Sequence, residues 1–93
     1  MSAPVIEHDA AASAFVARVE GGLAECAYRL QGDVMNIVHT EVPPASEGRG
    51  IAAALVQAAL AYARAQGLRV RPSCSYVRSY MRRHPDTLDL LEH

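Results

Sequence analysis

"EVPPASEGRGIAAALVQAAL", Glu41 to Leu60, is the stretch on which the reading of this chain turns. A glutamate and two prolines stop a strand, because proline cannot donate to a sheet ladder. Gly48-Arg49-Gly50 then opens an alanine-rich helix, and the hydrophobic period changes from two to about 3.6. Two accounts of these glycines stay open. They form an ordinary strand-to-helix loop, or they bare the backbone for an anionic ligand. A helix start carries unsatisfied N–H donors and the positive end of the macrodipole, so it attracts phosphate. Bulky side chains would keep phosphate away, and Gly48 and Gly50, with small Ala52 and Ala53 beyond, remove that obstacle.

Before this joint the chain alternates. Val5-Ile6 is expected to open a short strand. Ala14 to Glu20 sets Phe15, Ala17 and Val19 against Arg18 and Glu20, and Gly21-Gly22 supplies a hairpin turn. Leu23 to Gln31 alternates again, Gly32-Asp33 turns the chain, and Val34 to Val42 reads as a third long strand. After the joint, Ile51, Leu55, Ala58, Ala59 and Tyr62 follow helical spacing, with Gly67 as the C-cap. Leu68 to Ser73 reads as a strand, and Tyr76 to His84 as a second helix stopped by Pro85. The order β-β-β-β-α-β-α makes an antiparallel meander joined to a parallel β-α-β unit, an α/β (α+β) sandwich with one mixed sheet.

A chain of 93 residues supports one domain, 1–93, with residues 92–93 expected to be an appended end. No apolar run approaches the ~20 residues of a membrane span. The first residues lack the basic and apolar regions of a secretory signal. Cys26 and Cys74 stand far apart, in neither a disulfide framework nor a zinc spacing. A reduced cytoplasmic protein with no metal and no membrane partner, a monomer or weak dimer, is the expectation.

The net charge of -1 hides an asymmetry. All basic residues are arginine, and Arg49, Arg64, Arg69, Arg71, Arg78, Arg82 and Arg83 fall between Gly48 and His84, a segment without an acid. This is either a matter of composition or a cationic half that meets a phosphate-bearing ligand. Nucleic acid is disfavoured, because aromatics for base stacking are few and the net charge is slightly negative. The dinucleotide fingerprint fails at Ala53, and the Lys-Ser/Thr of a nucleotide-binding P-loop is missing.

Glu47-Gly48-Arg49-Gly50-Ile51-Ala52 resembles the Gln/Arg-x-x-Gly-x-Gly/Ala signature of the GNAT superfamily of acyl-CoA-dependent N-acetyltransferases. With HTEVPPASEGRGIAAALV and RPSCSYVRSYMRRHP, the chain from about residue 13 to 91 is similar to the small stand-alone members of that superfamily. The resemblance implies a minimal GNAT-like fold with splayed central strands, and acetyl-CoA or CoA as co-substrate. The pyrophosphate is expected on the backbone of Glu47, Gly48, Arg49, Gly50, Ile51 and Ala52, with Ala53 beside it. Pantetheine is expected along the strand ending at Val42, and Arg83 near the phosphates. Glu47 departs from the signature, where glutamine or arginine is usual; a position acting through its amide would leave the carboxylate in solvent. The superfamily's usual first two helices are missing, so the acceptor groove does not carry over.

Acetyl transfer to an amine needs a base, a stabilised oxyanion and a proton for the departing thiolate. Alternation puts His39 on one strand face with Met35, Ile37 and Glu41, and His39 or Glu41 is the candidate base. Cys74 ends the neighbouring strand, across the splay from His39, where it either accepts the acetyl group covalently or lines the pantetheine tunnel. Tyr80 matches the tyrosine that in the superfamily often protonates the thiolate. The implied function is acetyl transfer from acetyl-CoA to an unspecified amine, small molecule or protein. The alternative is a CoA-binding module without turnover, acting in sensing or protein interaction.

Overall fold

The alternating segments pair as their pattern requires. In the computed structural model, which describes residues 4–92, β1 (Glu7–Asp9), β2 (Ala14–Val19), β3 (Gly22–Gln31) and β4 (Val34–Glu41) form an antiparallel meander. β5 (Arg69–Pro72) joins β4 in parallel, so the sheet runs β1-β2-β3-β4-β5. The helices are α1 (Ile51–Ala65) and α2 (Ser75–Arg83), with 3-10 turns at Pro44–Ser46 and Pro85–Leu90. The element order is the expected one. Residues 1–3 and 93, the ends of the expected domain, lie outside the described residues. No helix among the described residues is long and apolar enough to cross a membrane.

The first strand starts later than its apolar pair suggested. Val5 is exposed, and it is His8 that fixes the edge strand. Its ring stacks on Phe15 at 4.2 Å, and Nε2 lies 2.6 Å from the Tyr28 hydroxyl.

One face of the sheet carries the core. Register sets Phe15 opposite Cys26, Ala17 opposite Ala24, Tyr28 opposite Ile37 and Met35 beside Val70, and all are buried. Both helices cover that face. α1 contributes Ile51, Leu55, Val56, Ala59, Leu60 and Ala63, and α2 contributes Val77, Tyr80 and Met81 to the same cluster. The buried stripe of α1 is thus turned slightly from the expected one. Leu60 is inside, while Ala58 and Tyr62 are only half-buried. Truncating Leu55, fully buried, to Ala removes packing worth about 2–5 kcal/mol.

α1 ends in a Schellman motif: the Leu68 N–H reaches Ala63 O at 2.8 Å and the Gly67 N–H reaches Arg64 O, with Gly67 at φ +71°. The Pro85–Leu90 turn, unforeseen beyond the stop at Pro85, folds back on the sheet. Leu91 bridges Val70, and the Glu92 N–H reaches Val70 O at 2.9 Å.

The joint before α1 is held from the side. Ser46 is 1% exposed, and its hydroxyl donates to Glu20 O at 2.7 Å. Gly21 lies so close that an added Cβ would stand 3.0 Å from that of Ala45. The tip of the β2–β3 hairpin is thereby the abutment of the loop. Ser46→Ala leaves the Glu20 carbonyl without this donor and should cost about 1–3 kcal/mol. Thermal unfolding should show a Tm lower by about 4–8 °C per kcal/mol; an unchanged Tm would mean the hydrogen bond contributes nothing net.

Candidate functional site

β4 carries a β-bulge. Tyr28 pairs with Ile37 but Ala27 pairs with His39, which leaves Val38 as the extra residue. Because side chains alternate strictly, one added residue reverses the phase of everything after it. His39 therefore does not share a face with Met35 and Ile37, contrary to strict alternation. It shares the uncovered face with Glu41, Nε2 to Oε2 3.6 Å, with side chains 50% and 65% exposed. Thr40 takes the core-side position, in register with Cys26.

The same strand loses its parallel partner at the bulge. Pairing with β5 ends at Ile37 and Pro72, and the last backbone bond is from the Cys74 N–H to Ile37 O at 3.0 Å. Beyond it the chain enters α2 with Cys74 as N-cap, while β4 runs on alone to Glu41. The strands splay, as the resemblance implied.

Cys74 stands inside this splay, half-buried, with Sγ 3.6 Å from Thr40 Oγ1. No hydrogen bond joins it to His39 among the described residues; the group it meets across the splay is Thr40. Burial alone would push its thiol pKa up. The N–H groups of Val77 and Tyr76 at the start of α2, and the Thr40 hydroxyl and N–H, outweigh burial and hold the thiol below its ordinary value. Cys26, fully buried, is the contrast: burial pushes its thiol up to about 11, against a lowering contact from Thr40.

Beside the splay, a cavity of about 240 Å³ lies at the start of α1. Val42, Ser46, Glu47, Gly48, Gly50, Ile51, Ala52, Ala53 and Tyr76 line it. Val42 and Tyr76 stand two residues beyond Thr40 and Cys74, so the cavity continues the splay on both sides. Gly48 (φ +80°) and Gly50 (φ +76°, the N-cap of α1) adopt left-handed backbone that other residues resist. A Cβ on either would meet nothing within 4 Å, so conformation rather than crowding selects glycine there. Among the described residues, none of the N–H groups from Gly48 to Ala53 has an acceptor; the first intrahelical bond is from Ala54 to Gly50. Glu47 differs. Its N–H is engaged with Pro44 O at 3.3 Å, within the 3-10 turn that precedes the glycines.

The other expected residues lie further out. Arg49 is exposed, 3.8 Å from Glu20, outside the cavity lining. Arg83 is exposed in the last turn of α2. Tyr80 is buried one turn beyond Tyr76 and lines a second cavity on the same α1–α2 seam, with Gln57, Arg64, His84 and Asp86. Its ring stacks on His84 at 4.0 Å, and burial, then Asp86, raises its hydroxyl pKa. Of the two tyrosines, Tyr76 borders the cavity at α1. The resemblance had singled out Tyr80.

Four arginines of the acid-free segment are occupied within the chain. Arg64 forms a two-pronged pair with Asp89 at 2.9 Å, and Arg71 grips Glu92 at 2.7 and 2.9 Å. Arg69 reaches Asp89 O at 2.8 Å, and Arg78 reaches Pro72 O and Ser73 O. Their partners lie mostly just past His84, in the acids that the charge asymmetry had set apart.

Residues 14–90 match the model of the GCN5-related N-acetyltransferase family. The chain belongs to that family. It is 35% identical over 83 residues to Protein NATD1 of Homo sapiens, covering 86% of this chain and 74% of that one. Against Protein NATD1 of Danio rerio it is 31% identical over 93 residues, covering 95% and 84%. The fold agrees with the NMR structure of a GCN5-like protein from Staphylococcus aureus, at TM-score 0.70 and 27% identity, over all of this chain and 95% of that one. The GNAT-like fold and family membership implied by EGRGIA are thereby shown.

The contrast between the cysteines is directly measurable. Iodoacetamide should label Cys74 alone in the folded chain, its rate rising with pH through a midpoint below that of an ordinary thiol. Cys26 should label only after unfolding. Equal labelling of both in the native state would contradict the burial that separates them.

Proposed function

We propose that the cavity at the start of α1 binds the pyrophosphate of acetyl-CoA, and that the acetyl group is delivered through the splay to an amine. The observation that carries this is the run of acceptorless N–H groups from Gly48 to Ala53, at a helix start whose residues other than Arg49 line a cavity bordered by Val42 and Tyr76. Backbone donors at a helix start favour phosphate oxygens by both hydrogen bonding and dipole. The pantetheine arm then runs along the edge of β4 that β5 no longer covers, and its amides replace the missing ladder. Family membership supports acetyl transfer in general.

The chemistry divides by route. In direct transfer a neutral amine attacks the thioester carbonyl, the N–C bond forms, the C–S bond breaks, and CoA leaves as a thiolate that takes a proton. In the covalent route the Cys74 thiolate attacks first and expels CoA, and the amine then displaces Cys74. The lowered thiol pKa and the position within the splay favour the covalent route. His39 and Glu41, paired at 3.6 Å on the uncovered face, are the candidate groups to deprotonate an amine approaching from that side. Tyr76 borders the cavity and Tyr80 the adjoining one, so Tyr76→Phe and Tyr80→Phe compared side by side assign the proton donor to the leaving thiolate.

Calorimetry with CoA and acetyl-CoA tests the binding step. Gly50→Ala should cost about 1–2 kcal/mol in stability and weaken CoA about tenfold or more, because alanine resists the left-handed backbone that sets the start of α1. Glu47→Gln should preserve or tighten binding, since it removes a negative charge near the phosphates. Absence of binding at millimolar CoA would overturn the proposal. Intact-mass measurement after incubation with acetyl-CoA should show an acetyl adduct on Cys74; turnover surviving Cys74→Ala would leave only direct transfer. Binding without either adduct or acetylated amine would assign the chain as a CoA-binding module.

A further inference from the structure

Thr40 figures in no sequence argument, yet it is the side chain that meets Cys74. The extra residue at Val38 turns it to the core face, in register with Cys26, which is fully buried. Opposite it, Cys74 is fixed through its own N–H on Ile37 O, which leaves the sulfur 3.6 Å from Thr40 Oγ1. The Thr40 hydroxyl therefore stands against Cys74 at the mouth, with Cys26 across the strand in register. A hydroxyl has one proton to donate and lone pairs to accept with. While Cys74 is neutral, its S–H donates to Oγ1. When Cys74 loses its proton to solvent, the thiolate can only accept, and the hydroxyl proton has a stronger acceptor in front of it.

We infer that Thr40 is a positioning residue for Cys74: its hydroxyl holds the sulfur at the mouth of the splay and turns its proton to it once it is a thiolate. Thr40 supplies a side-chain donor that can turn as the sulfur changes charge. This assignment rests on the reading of Cys74 as the group that meets the thioester, but thiol reactivity is measured without CoA or an amine.

The test is iodoacetamide labelling of Cys74 in the full chain from pH 5 to 10, read by peptide mass spectrometry. Thr40→Val keeps the shape and removes the donor. Labelling at pH 7 should fall about tenfold, as loss of one hydrogen bond to a charged group allows. The profile should shift to higher pH and meet wild type at its plateau, and Thr40→Ser should return to within about twofold of wild type. An unchanged rate at pH 7, or equal slowing at every pH, would overturn the assignment, the latter because altered access is independent of ionisation. Should Thr40→Val fail to fold, Thr40→Ala removes the same donor and should likewise slow Cys74 labelling at pH 7 about tenfold while meeting wild type at the high-pH plateau; an unchanged rate would overturn the assignment. Absent acetyl transfer with these labelling profiles intact would sink the transfer reading alone.

Discussion

One extra residue in β4 sets the arrangement of the site. With Val38 unpaired, the strand before it presents Met35 and Ile37 to the helices, and the strand after it presents Thr40. Bulges bend a strand and end regular pairing, and here the parallel ladder with β5 stops beside it. Both the cleft and the identity of the residue that faces Cys74 follow from that single irregularity. The histidine next to it is delivered to the other side of the sheet, so the Cys74 thiol and the His39 imidazole stand on opposite faces of it.

The cradle at α1 is made of backbone. Left-handed glycines at 48 and 50 and the small side chains after them leave the donors at the helix start uncovered, while Ser46 and the Gly21 turn keep the loop from collapsing onto them. Such a cradle needs no particular side chain to hold an anion. This explains how an acid at position 47 is tolerated: its amide serves the 3-10 turn, and its carboxylate is in solvent.

Much of this was legible in the sequence. Alternation, turn glycines and the change of period at Gly50 give the element order, because each depends on local pattern alone. Seven expected cofactor contacts, Val42, Glu47, Gly48, Gly50, Ile51, Ala52 and Ala53, do line the cavity. What failed depends on pairing across strands. A bulge leaves no mark in a run such as Val34–Glu41, where β-branched, polar and apolar residues all suit a strand, so the phase of His39 and Thr40 could not be read. The ranking of Tyr76 against Tyr80 was hidden for a similar reason. Both point inward on a 3.6-residue period, and only the line along which α2 meets α1 separates the cavities they border.

Part of the arginine charge that the sequence set apart is met within the chain. Arg64, Arg69 and Arg71, with Asp89 and Glu92, draw the end of the chain along β5, where Leu91 and Glu92 take up backbone groups of Val70. An exposed outer strand is a template on which another chain can add its own, and proteins commonly blunt it with charge, brevity or a covering segment. β5 has four residues, guanidinium groups along it and a covering segment; β1, at the other margin, has only three residues. Charge, brevity and the segment at Leu91 and Glu92 together leave this margin of the sheet little room to grow by one more strand.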